Sequence, residues 1–193
     1  SIRNIKNYKM NFFKSKLDTK SSDSSHRVLI TLQKDLNMES LPQHIECFDN
    51  SNFQGSFPSS ACVVFKNGKP SKKDYRHFNI KSVSSPDDFA SMKEVVFRRY
   101  SRVIKEKQNL PNLIIIDGGK GQLSSSLTAL RDLGIEKKVT IIGIAKRLEE
   151  IYFANESTPL YIDKKSESLK LIQKLRDEAH RFSLRQYRNR RDN

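Results

Sequence analysis

With 193 residues, 36% hydrophobic and 30% charged, the chain has enough material for one packed core and a short arm. No apolar run approaches the ~18 residues of a membrane span, and Ser1 to Lys20 lacks a signal-peptide core. The net charge of +14, from 36 Lys and Arg against 22 Asp and Glu, disfavours any role without a polyanionic partner.

Cys47 and Cys62 fall in apolar segments, without CxxC or zinc-ligand spacing, so buried thiols and a cytoplasmic location are expected. The chain begins with Ser rather than Met, as a piece of a longer protein would. The positive charge gathers at the ends. Ser1 to Lys20 holds six basic residues and one acid, and Arg181 to Asn193 holds five arginines and one acid. Clustered cations suit phosphate contact, though they also serve simply as solvated ends.

Residues 1–40 read as a flexible basic arm, followed by an amphipathic lead-in helix in which Val28, Leu29, Leu32 and Leu36 share a face. Residues 41–193 read as the folded domain. His44–Ser51, Ala61–Lys66 and Tyr75–Ile80 predict successive antiparallel strands, with Asn67-Gly68 as a hairpin turn between the second and third. Ser85 to Lys107 predicts a helix capped by Ser85, with Pro86 in its first position and Asp88 completing a capping box. Its apolar face is Phe89, Met92, Val96, Tyr100 and Val103. Asn112–Asp117 reads as a central buried strand, Gly121–Leu133 as a helix closed by Gly134, and Val139–Ala145 as a second buried strand. A small hairpin is expected at Ile151–Phe153 and Leu160–Ile162. A final helix from Glu167 to about Arg188 carries a stripe of Leu171, Leu175, Ala179 and Phe182. The order β-β-β-α-β-α-β plus a long helix is that of an α/β, ribonuclease H-like mixed sheet, a meander joined to parallel strands and flanked by helices.

Asp49 ends the first strand and Asp117 the fourth. Each alone suits a turn. Together, on neighbouring strand ends, they could share Mg²⁺ or Mn²⁺, hard cations that prefer oxygen and leave positions for water and phosphate. The apolar run into Asp117 also resembles a Walker B strand, but no GxxxxGK[ST] accompanies it. His180, beside Ala179 on the last helix, is either a core-edge histidine or a third member of the site, as metal ligand or proton-transfer group. Asp88 is either a helix cap or a further acid. Lys120, Lys146, Arg147, Arg98, Arg99, Arg181 and Arg185 are candidates for contacts with a nucleic-acid phosphate backbone, each equally readable as solvated surface.

Ile45-Glu46-Cys47-Phe48-Asp49, Ala61-Cys62-Val63-Val64-Phe65, Ile116-Asp117-Gly118-Gly119-Lys120-Gly121-Gln122-Leu123, Gly143-Ile144-Ala145-Lys146 and Arg176-Asp177-Glu178-Ala179-His180-Arg181-Phe182 occur in that order. Together they resemble the C-terminal endonuclease domain of UvrC, a subunit of the bacterial excinuclease of nucleotide excision repair, over about Leu41 to Arg188. The resemblance implies a divalent-metal site and incision of damaged double-stranded DNA on the 5′ side of the lesion. It places Asp49, Asp117 and His180 on that family's catalytic triad and Asp88 on a further acid linked to the same cut. The family's usual Phe-Asp-x-Ser-His reads Phe48-Asp49-Asn50-Ser51-Asn52 here, so Asn52 could hydrogen-bond DNA but cannot supply an imidazole. The GIY-YIG nuclease and tandem helix-hairpin-helix motifs of the family do not occur in these residues. Contact with UvrB is expected through regions outside the chain. The competing readings are a non-catalytic DNA-binding scaffold of the same fold and a nuclease that prefers RNA.

Overall fold

The computed structural model describes residues 2–51, 58–81, 87–145 and 150–191. Helix α1 (Ile2–Asp35) ends at Asn37, whose left-handed φ of 50° lets Met38 N–H reach back to the Gln33 carbonyl. The expected lead-in helix is therefore the tail of a longer one. Its upstream part, read as a flexible arm, is helical as well, for it contains no Gly or Pro to stop the turn. Leu29, Leu32 and Leu36 are buried, whereas Met10, Phe13 and Leu17 are exposed.

Strand β1 (His44–Ser51) pairs antiparallel with β2 (Ser59–Lys66). The Asn67-Gly68 turn, with φ of 53° and 77° at its two residues, returns the chain as β3 (Lys69–Pro70). This is the turn geometry that Asn-Gly favours. The hairpin partner is thus a two-residue strand. A short 3-10 turn (Lys72–Asp74) separates it from β4 (Arg76–Asn79), which pairs with the earlier part of β2.

Helix α2 (Asp88–Lys105) starts later than predicted. Its cap is Asp87, whose carboxylate accepts hydrogen bonds from the N–H groups of Phe89 and Ala90 at 3.0 Å. Ser85 and Pro86 lie outside the described residues, and Asp88 is the first helical residue rather than the closing acid of a capping box. Strand β5 (Leu113–Asp117), helix α3 (Lys120–Asp132), strand β6 (Thr140–Ile144), strand β7 (Ile151–Phe153) and helix α4 (Glu167–Arg191) complete the order. In place of the expected second hairpin, β7 pairs antiparallel with β6, and Leu160 makes only a single bridge to Ile151.

The sheet runs β3-β2-β1-β5-β6-β7, with β1, β5 and β6 parallel. This is the mixed sheet flanked by helices expected of a ribonuclease H-like α/β fold. Ile114, Ile115 and Ile116 are fully buried, as a central strand covered on both faces requires. Each such side chain contributes roughly 1.5–3 kcal/mol. Alternation along β1 divides the two faces. Glu46 and Phe48 point to α2, where Tyr100 meets the Phe48 ring edge-on at 6.1 Å, while Asp49 points to α4. Cys47 and Cys62 are buried free thiols. Among the described residues no helix is long and apolar enough to cross a membrane.

Candidate active site

Matching the apolar residues of two parallel strands fixes their register: Ile45 lies beside Leu113, Cys47 beside Ile115, and Asp49 beside Asp117. A slip of one residue would turn every side chain to the wrong face. Both carboxylates therefore finish at the carboxyl edge of the sheet, where open α/β sheets place their ligands. They are only 1% and 7% exposed. Two carboxylates held side by side out of water form a strongly negative spot at this edge. The field they produce is felt by Cys47, whose thiol is pushed up first by burial and then by the charges of Asp117 and Asp49.

His180 arrives from α4. Leu171, Ile172, Leu175 and Ala179 are buried beneath the helix, seating it on the sheet and leaving His180 on its rim. There its Nδ1 lies 3.3 Å from Asp49 Oδ2, with the imidazole 56% exposed. The Asp49 partners across the sheet continue outward through Ala61 on β2 to His77 on β4. Ala61 is fully buried between them, and His77 stacks on Phe182 of α4 with centroids 3.8 Å apart. Nothing in the sequence singled out His77, because a lone His in a short strand signals nothing until its row is known.

Beyond Asp117 the chain turns at once into α3. Gly143 on β6 permits this, since a Cβ there would lie 3.1 Å from the Gly118 carbonyl and 3.2 Å from Leu123 Cβ. At Gly121 a Cβ would stand 2.3 Å from an edge carbon of the Phe89 ring, so the starts of α2 and α3 lock together through this glycine. Lys120 donates to the Ser157 carbonyl at 2.7 Å and lies over the Tyr152 ring, 5.1 Å from its centroid.

Asp88 is exposed, and its carbonyl accepts a hydrogen bond from Asn50 Nδ2 at 3.1 Å, which pins the start of α2 to the end of β1. Arg181 is held by Glu178 through Nε and Nη2, both at 2.7 Å, and Arg185 is exposed. Arg99 proves to be a core residue rather than a surface contact. It grips buried Glu46 through Nη2 at 2.7 Å and Nε at 3.2 Å, while Tyr100 and His44 bind the same carboxylate. Arg98 is tied to the Asn79 carbonyl and to Glu94. Asn52, Lys146 and Arg147 lie outside the described residues.

Among the described residues, no three His, Cys, Asp or Glu side chains close on one point as a ready-made cage. The paired carboxylates nonetheless fit a hard divalent cation, which takes one or two carboxylates and completes its shell with water and substrate oxygens.

The UvrC RNase H endonuclease domain model matches residues 33–184. UvrABC system protein C of Flavobacterium johnsoniae is 59% identical over 191 residues, covering 99% of this chain and 32% of that protein. That of Christiangramia forsetii is likewise 59% identical, with the same coverage. That of Porphyromonas gingivalis is 52% identical over 95% of this chain and 31% of its own length. The chain thus spans about a third of the curated relatives it matches. Among solved structures, Ciona intestinalis endonuclease V in complex with a 24mer DNA is similar with a TM-score of 0.42 and 19% identity, over 83% of this chain and 69% of that one. Human ENDOV gives 0.38 and 14%, over 70% and 63%. Likeness at that level bears no weight on function. The family match and the close relatives do: this chain belongs to the UvrC RNase H endonuclease domain family.

Proposed function

We propose that the domain is a divalent-metal-dependent endodeoxyribonuclease that makes the 5′ incision of nucleotide excision repair. The observation that carries this reading is the in-register pair Asp49 and Asp117, buried at adjacent strand ends with His180 reaching Asp49. Asp49 and Asp117 are the residues that would hold Mg²⁺ or Mn²⁺. The ion, when bound, supplies an activated water and charge stabilisation at the leaving oxygen. His180 orients the Asp49 carboxylate and, from its exposed imidazole, exchanges a proton with water or the scissile phosphate. Asp88, at the same edge of the sheet, is a further acid of the incision. Lys120, Arg181 and Arg185 neutralise backbone phosphates, with Asn52, Lys146 and Arg147 as additional contacts.

The working unit is residues 41–193, with residues 1–40 leading in, and the unit occupies the C-terminal part of a longer UvrC. Its substrate is damaged double-stranded DNA delivered in a cytoplasmic complex with UvrB through other regions of the protein. A non-catalytic scaffold of the same fold is the weaker reading, because a pure binder gains nothing from paired buried acids facing a polyanion. The deciding test is incision of a lesion-bearing duplex by the full-length protein with UvrB, with and without Mg²⁺ or Mn²⁺. Loss of 5′ cutting in Asp49→Asn and Asp117→Asn, with DNA binding retained, supports the nuclease. Undiminished cutting overturns it.

A further inference from the structure

Two tyrosines at the carboxyl edge of the sheet have no part in the proposed incision. Tyr152, on edge strand β7, pairs across the sheet with Gly143, and Gly143 with Ile116, so it stands on the α3 side of the row next to the Asp117 end. Tyr161 lies just beyond the Leu160 bridge and is 63% exposed. Both hydroxyls converge on Glu150: Tyr152 donates to Oε2, and Tyr161 to Oε1 at 2.8 Å. One carboxylate thus holds two phenol rings at their polar tips, with the Tyr161 ring exposed and the Tyr152 ring partly buried against the core. On the inner side Lys120 lies over the Tyr152 ring and is anchored to the Ser157 carbonyl. The Glu150 carboxylate is lowered from its usual range by the bonds from Tyr152 and Tyr161, so its charge is spent on these donors.

The Tyr161 ring is left in water yet held in one place by its bond to Glu150. Rings fixed in advance beside a lysine are what an unstacked nucleobase and its phosphate fit, since each base has a π-face and each step a negative charge. Tyr152 shares the Ile116 face of the sheet, opposite the face of the Asp49 and Asp117 side chains, so the tyrosines flank the carboxyl edge rather than joining the row of the acids.

We infer that Tyr161 and the exposed part of Tyr152, clipped by Glu150 and flanked by Lys120, form a stacking platform for an unstacked base of the bound DNA. The inference rests on the nuclease reading above for its ligand, and its test is separable from it. The full-length protein is bound, without divalent metal, to lesion-bearing duplexes carrying one 5-iododeoxyuridine at successive positions around the 5′ incision point. After irradiation, the crosslinked residues are identified by mass spectrometry. Crosslinks to Tyr152 or Tyr161 from a narrow set of positions are expected. Tyr161→Ala and Tyr152→Ala should lose them and weaken binding at least about fivefold, whereas the Phe variants keep stacking and bind within about twofold of the parent. If no position crosslinks to either tyrosine, and both Ala variants bind within about twofold, the platform is overturned. Equal loss in Phe and Ala variants also overturns it, since that outcome belongs to the Glu150 clip alone. Asp49→Asn is irradiated and assayed in parallel. If it still incises, the nuclease reading fails while the crosslinks judge the platform independently.

Discussion

His180 and Asp49, 131 residues apart in sequence, stand 3.3 Å apart across the packing of α4 on β1. The contact joins an exposed imidazole to a buried carboxylate. Replacing His180 with Ala should therefore cut incision by about 10²–10⁴-fold, the usual worth of a positioned proton-transfer group. The fold should change little, within about 0.5 kcal/mol, as for other exposed substitutions. Single-turnover incision and thermal unfolding of the same preparation check both halves.

Asp49→Asn and Asp117→Asn should abolish incision and leave thermal stability unchanged or raised. Each change removes one of two like charges buried at adjacent strand ends, so repulsion is relieved while shape is kept. Melting temperatures without metal read the stability. A clear drop for both variants would mean that the pair serves folding rather than chemistry.

Glu46 governs acid stability. Burial acts to raise its pKa, but the hydrogen bonds from His44 and Arg99 and the Arg99 charge outweigh it and hold the carboxyl at about 2, against 4.5 unfolded. A depressed folded value means that the stabilisation is complete above pH 4.5 and is lost as pH falls toward 2. Denaturant unfolding at stepped pH should show that loss. Glu46→Gln should flatten it and cost about 3–5 kcal/mol at neutral pH, because Arg99 is left as an uncompensated buried charge.

DNA binding by the full-length protein should weaken steeply as salt rises, because phosphate neutralisation releases counterions. Arg185, exposed on α4, should contribute about one unit to the slope of log affinity against log salt. Titrations of Arg185→Ala at several salt concentrations check this, and an unchanged slope would place the residue outside the interface. Arg99→Ala should act instead through stability, since its guanidinium is committed to Glu46.

Local patterns carried much of this in the sequence alone. The continuous Leu-Ile-Ile-Ile run, the Asn67-Gly68 turn and the apolar stripe of α4 are set by residues near one another in the chain, with periods of 2 and 3.6 that need no knowledge of partners. They placed Asp49 and Asp117 at strand ends and His180 at the edge of a helix face. Tertiary structure decided what those placements amount to. The β1–β5 register, set by matching buried side chains over the whole sheet, made Asp49 and Asp117 neighbours. The seating of α4 brought His180 to Asp49, and the face of α2 turned Arg99 inward to Glu46. The tyrosines on Glu150 and His77 in the Asp49 row were invisible for the same reason: side-chain neighbours across a sheet come from packing energy summed over distant segments, which no local window of sequence contains.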